Sequence, residues 1–131
     1  MAEWPTGRLL SVAARSVERA WHAGLSELGL THAGLIVLDL LAEGPVAQVD
    51  LARRGRVTPQ TMSRTVDTLV AAGYVRRTAD PLDRRIRIVE RTEAGLRVFT
   101  ASGSLESRIF PDVEGVGELR AALLQIIRAE R

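Results

Sequence analysis

The chain has no cysteine, no lysine and only two histidines. Without cysteine there are no disulfides, no thiolate metal sites and no thiol redox sensor. With His22 and His32 alone, a histidine-based metal cluster would need several carboxylates beside it, so neither a metal nor a cofactor is expected. No apolar run approaches the ~18 residues of a membrane span. The opening Met1-Ala2-Glu3-Trp4-Pro5 also lacks the basic-then-apolar plan of a signal peptide. No membrane partner is therefore expected, and the expected location is cytoplasmic. Catalytic sets are missing as well. There is no Ser/His/Asp arrangement, no glycine-rich phosphate loop, no carboxylate pair beside a cleft motif and no cysteine nucleophile, so an enzyme is not expected.

What remains is a chain of 131 residues, 46% of them hydrophobic, enough for one globular domain with its own core. Its net charge of +2 hides an asymmetry. All 18 cationic side chains are arginine, and eleven of them lie between Arg53 and Arg97 beside only five acids, a local charge of +6. The flanks hold seven arginines and eleven acids, a charge of −4. A basic centre between acidic flanks suits a polyanionic partner. Arginine's planar fork matches phosphate and guanine edges in pairs.

The most informative stretch within that centre is 58–73. Thr58 is an N-cap candidate, Pro59 suits the first helical position, and Gly73 suits a left-handed exit. Met62, Val66, Leu69 and Val70 follow the spacing of one buried helical face. Gln60, Thr61, Arg64 and Thr68 lie opposite, with Asp67 the only acid in the segment. A short helix with a polar, donor-rich, nearly acid-free face suits the floor of a DNA major groove.

Around this helix the chain falls into order. Residues 8–28 predict a long helix with Leu9, Val12, Val17, Trp21, Leu25 and Leu28 at helical spacing. Trp21 suits a core or dimer seam, and His22 a surface or packed position. A second helix is capped by Thr31 and stopped by Gly44-Pro45, and its apolar content predicts burial on most sides. Residues 46–54 predict a short third helix with Leu51 and Ala52 inward. Gly55-Arg56-Val57 then turns the chain into the 58–73 helix, making a helix-turn-helix. Residues 74–78 and 85–90 predict two strands joined through Asp80-Pro81, a hairpin with an arginine-loaded tip. Alternation of Arg85 and Arg87 with Ile86 and Ile88 predicts an isoleucine face that packs and an arginine face that meets solvent or phosphate. Thr92 caps a helix expected to run towards Arg108. A last helix is expected over 113–129, with Val116, Leu119, Leu123, Ile126 and Ile127 as its apolar stripe. The fold class is thus mainly α with a small β-hairpin wing (α+β).

In this order, with these residues, the chain resembles the MarR family of winged helix-turn-helix transcription regulators. The resemblance rests on Gly29-Leu30-Thr31, the run from Leu35 to Gly44-Pro45, and Leu51-Ala52. It continues through Val57-Thr58-Pro59-Gln60-Thr61-Met62-Ser63-Arg64, Asp67, Leu69 and Gly73-Tyr74-Val75. Asp80-Pro81-Leu82-Asp83-Arg84-Arg85, then Thr92 and Gly95, complete it. The wing signature after Gly-Tyr-Val is its most specific part.

The resemblance implies a single domain over 1–131, with dimerisation helices at 8–28 and 92–131 and a DNA-binding lobe at 31–91. It implies a homodimer on a pseudo-palindromic operator in double-stranded DNA, acting as a repressor, with an activator as the alternative. Thr58, Gln60, Thr61, Ser63 and Arg64 would face the major groove, with Arg64 reading a base. Arg85 would enter the minor groove with Asp83 holding its guanidinium, and Arg84 and Arg77 would meet phosphate. A small aromatic or anionic effector would sit near Arg15, Trp21, His22 and His32. Two readings stay open beside these. Arg64 and Arg85 could instead form surface ion pairs with Asp67 and Asp80. The whole could be a winged-helix protein-interaction module without DNA binding, which a salt-independent affinity would reveal.

Overall fold

A computed structural model describes residues 1–130. Helix α1 (Thr6–Glu27) starts directly after Pro5, two residues earlier than apolar spacing predicts. Helix α2 (His32–Leu40) is capped by Thr31, whose hydroxyl accepts from the Gly34 amide at 3.0 Å. Val37 and Leu38 are buried, but Ile36 on the same helix stays exposed, so α2 is not enclosed on every side.

The segment expected to be one helix over 46–54 divides. Val46–Ala47 is a short strand, β1, and helix α3 begins only at Gln48 and runs to Arg54. Gly44 at φ 137° and Pro45 deliver the chain extended, and β-branched Val46 pairs with Val89 before the helix can start. Helix α4 (Pro59–Ala71) carries both expected end marks. Thr58 caps it by accepting from the Thr61 amide at 3.1 Å. Gly73 leaves at φ 80°, a conformation that costs other residues a Cβ clash. Met62, Val66 and Leu69 are buried, whereas Val70 lies at the edge of that face and is exposed.

Strands β2 (Val75–Ala79) and β3 (Arg87–Arg91) form the wing, and β1 extends it to a three-stranded antiparallel sheet in the order β1-β3-β2. The fully buried face of the wing is not the isoleucine face expected to pack, although Arg87 is exposed as expected. Val75 and Val89 are the fully buried positions, so their parity faces the helices and includes Arg77, Arg87 and Arg91. Ile88 has the opposite parity and is half-buried, while Ile86 precedes β3 and is exposed. Arginine tolerates the inner side because its neighbours accept. Arg91 donates to the Leu38 carbonyl at 3.2 Å and stacks over Phe99.

The helix expected from Thr92 to about Arg108 is two helices, α5 (Glu93–Ser102) and α6 (Leu105–Ile109). At the break the amides of Gly103 and Ser104 bond three residues back, to Thr100 and Ala101. The Ser102 and Ser104 hydroxyls take the carbonyls of Phe99 and Ala101. Such local bonds compete with a continuous α-ladder. Helix α7 (Val116–Arg128) starts later than expected, after a left-handed Gly115, and none of its residues is buried.

The core lies where α2, α3 and α4 meet the sheet, built from Val37, Leu38, Leu51, Met62, Val66, Leu69, Val75 and Val89. Leu25, Val98 and Leu105 continue it under α1, α5 and α6.

Candidate nucleic-acid interface

Helix α4 turns Gln60, Thr61, Arg64 and Thr68 to solvent, with Ser63 half-buried at the margin. Two threonines on this helix are ordered by back-bonding. Thr65 donates to the Thr61 carbonyl and Thr68 to that of Arg64, each at 3.1 Å. Their donors are therefore spent, and their lone pairs remain as acceptors. Thr58 is largely occupied as the cap and also donates to the Thr61 hydroxyl at 3.0 Å. Arg64 makes no ion pair among the described residues, and the pairing with Asp67 that sequence spacing permits does not form.

The wing tip is a built turn. Asp80 accepts from the Leu82 amide at 2.8 Å, and the Asp80 amide donates to the Ile86 carbonyl to close the loop. Asp83, not Asp80, holds Arg85. Its Oδ1 accepts from Nε and its Oδ2 from Nη2, both at 3.1 Å, while the Arg85 amide adds a third bond to Oδ1. This fork orients a guanidinium that is otherwise 90% exposed. The guanidinium of Arg85, and then its amide, hold the Asp83 carboxyl below the usual carboxylate range; the same pairing raises Arg85. Arg84 is exposed beside it.

Between the wing and the start of α4 lies a cleft of about 290 Å³ lined by Gln48, Pro59, Arg85, Ile86 and Arg87. Arg87, expected only as one of the alternating arginines that meet solvent or phosphate, is exposed in this lining. Its place in a strand alternation gave no sign that it would line this cleft.

Arg77 is placed differently from the expectation of a free phosphate contact. Its guanidinium is largely covered and donates to Asp67 at 2.5 Å and Gln48 at 3.2 Å. These partners lie on α4 and α3, so the side chain faces inward.

The expected effector residues gather only in part. Trp21, His22 and His32 line a cavity of about 310 Å³ with Glu18, which sequence reasoning missed. Arg15 is not in its lining; it sits exposed on α1, in a long contact to the Ser11 carbonyl. The other side of Trp21 opens on a second cavity of about 420 Å³, with Leu35, Ile36, Asp39, Phe99 and Glu106.

A capped helix with a polar outer face, a preceding short helix and turn, and a three-stranded wing define a winged helix-turn-helix protein. Comparison with known proteins narrows the class. The model of the MarR family matches residues 28–86. YdcH of Bacillus subtilis, an uncharacterised HTH-type transcriptional regulator, is 31% identical over 108 residues, 79% of this chain and 74% of that protein. The crystal structure of the transcriptional regulator BldR from Sulfolobus solfataricus is 32% identical, covers 94% of each chain and superposes with a TM-score of 0.73. A MarR mutant from E. coli, crystallised with operator DNA, is 25% identical over 93% of each chain, with a TM-score of 0.74. The chain belongs to the MarR family. It is a winged helix-turn-helix DNA-binding transcription regulator and not an enzyme.

Proposed function

We propose that the protein represses transcription by binding a pseudo-palindromic operator as a homodimer, and that a small effector releases it. The observation that carries this reading is the pairing of two exposed arginines in one lobe. Arg64 stands on the polar face of α4, and Arg85 is fixed by Asp83 at the wing tip. In this reading Gln60, Thr61, Ser63 and Arg64 face the major groove, with Arg64 on a guanine edge. Arg85 enters the adjacent minor groove, while Arg84 and Arg87 meet phosphate. The MarR mutant crystallised with operator DNA supports DNA as the partner.

The dimer reading rests on unburied apolar faces. Helix α7 exposes Val116, Leu119, Leu124, Ile126 and Ile127, the last at 64%, and α1 exposes Leu9 and Val12. Apolar stripes of this extent on terminal helices call for a partner. Two lobes related by a two-fold axis would read half-sites about one helical turn, ~10 bp, apart. The cavity of Glu18, Trp21, His22 and His32 is the proposed effector site, open to an aromatic ring against Trp21.

Selection of bound sequences from a random duplex library tests the whole reading. The expected product is a two-fold symmetric site with half-sites one turn apart. Affinity for it should fall steeply with salt, losing ~0.9 in log–log slope per phosphate neutralised. No enrichment, or an affinity flat in salt, would leave the winged-helix interaction module as the better account.

A further inference from the structure

Arg77 and Asp67 are the pair that expected roles leave over. Arg77 has the inward parity of β2, and its guanidinium reaches two helices at once, Asp67 on α4 and Gln48 at the start of α3. Its side chain is only 18% exposed, against 57% for Asp67. Arg64 lies three residues before Asp67 on the same helix, a spacing at which an ion pair readily forms. The pair does not form, because Asp67 is already held at 2.5 Å by the better-covered guanidinium. A partly buried pair is also screened less by salt and water than the surface alternative.

We infer that Arg77 is a positioning residue for base reading: it sequesters Asp67, so that Arg64 stays unpaired on the outer face of α4. The same guanidinium ties the wing strand to both helices of the helix-turn-helix, which sets the spacing between α4 and the wing. This rests on the reading above in which Arg64 contacts a base. Without Arg77, Asp67 turns to Arg64 one turn back. The helix then loses a free cation and presents an acid near the DNA phosphates.

The test uses the full chain and the duplex selected by the parent. The base pair read by Arg64 is first identified as the one where Arg64→Ala loses discrimination. Arg77→Met should weaken binding about tenfold and flatten discrimination at that base pair, the scale of one lost bidentate contact. The double variant Asp67→Asn with Arg77→Met should regain the discrimination, because no carboxylate remains to take Arg64, while keeping part of the affinity loss from the unanchored wing. If Arg77→Met keeps full discrimination, or the double variant is as indiscriminate as the single, the inference fails. Should Arg77→Met not fold, Asp67→Asn alone decides. It leaves Arg64 without its competing acid and must retain discrimination, and a loss there would mean that Asp67 itself reads DNA. Failure of the parent to enrich any duplex, or of Arg64→Ala to change any base preference, would instead sink the underlying DNA-reading assignment.

Discussion

Replacing Gly95 by alanine sets two physical effects against each other, and the structure decides the sign. Gly95 lies in the first turns of α5, where helix propensity alone favours alanine by ~1 kcal/mol. A Cβ built there would stand 2.1 Å from the Tyr74 carbonyl oxygen and 2.9 Å from the Arg91 Cγ. The side chain of Arg91 can yield, but the Tyr74 carbonyl cannot swing away. It already accepts from the Thr92 amide at 3.1 Å, and the Thr92 hydroxyl holds the Gly73 carbonyl at 2.6 Å. Helix α5 must therefore retreat from the end of the helix-turn-helix by about 1 Å, an overpacking that costs ~1–3 kcal/mol. Loss of the Thr92–Tyr74 hydrogen bond adds ~1 kcal/mol. Set against the propensity gain, the net is a destabilisation of roughly 2 kcal/mol, or a fall in Tm of roughly 6 °C for a domain of this size. Thermal unfolding followed by circular dichroism at fixed protein concentration measures it. Gly7→Ala is the control: it lies on α1 with no atom near the added methyl, and should hold or raise Tm. A Gly95→Ala protein melting at or above the parent would refute the close-contact argument.

Arg64→Ala should cost ~1–3 kcal/mol of operator affinity and relax preference at one base pair, measured by fluorescence anisotropy on single-substitution duplexes. Asp83 has a lowered carboxyl pKa, so its hold on Arg85 is complete above the ordinary aspartate range and is lost only as pH falls through the lowered value. The Arg85-dependent part of binding, taken as parent minus Arg85→Ala, should therefore be flat between about pH 5 and 8, and a titration inside that window would contradict the Asp83–Arg85 pairing. Thr58→Ala removes the side-chain cap of α4 and should lower stability by ~1 kcal/mol in denaturant unfolding. Ile127→Glu places a charge on the apolar face of α7 and should shift the protein towards monomer in sedimentation equilibrium, whereas an undiminished dimer would take α7 out of the interface.

Much of this architecture was legible because its determinants are local. Thr31, Thr58 and Thr92 each cap a helix through an amide three residues on, a signal contained within four positions. The hold of Asp83 on Arg85 came from the family resemblance, since the turn by itself left Asp80 open as the partner. What escaped depends on distant partners. Val46 and Ala47 become a strand only because Val89 and Ile88 lie alongside, more than forty residues later. The wing's inner face was misjudged because Ile86 and Ile88 outweigh Val89 in hydrophobicity, while Val75 and Val89 are the residues the helices cover. Arg77 was expected to meet phosphate and gave no sign of its inward pairing, since its acceptors are 10 and 29 positions away. The break between α5 and α6 depends on Ser102 and Ser104, whose hydroxyls redirect the ladder only once the chain has turned there.

Tyr74, three residues after α4 ends, donates its hydroxyl to the carbonyl of Leu28 at the far end of α1, at 2.8 Å. With Leu25 packed in the core beside it, that bond ties a rod of 22 residues, about 33 Å long at 1.5 Å per residue, to the chain just after α4. A tilt of about 5° around the opposite tip of such a rod displaces its pinned end by about 3 Å, close to the rise of one base pair. In an assembly joined through α1, small angular changes at the seam would thus arrive at the DNA as a change of register, and a Tyr74→Phe protein would have the same surface chemistry with a slacker linkage.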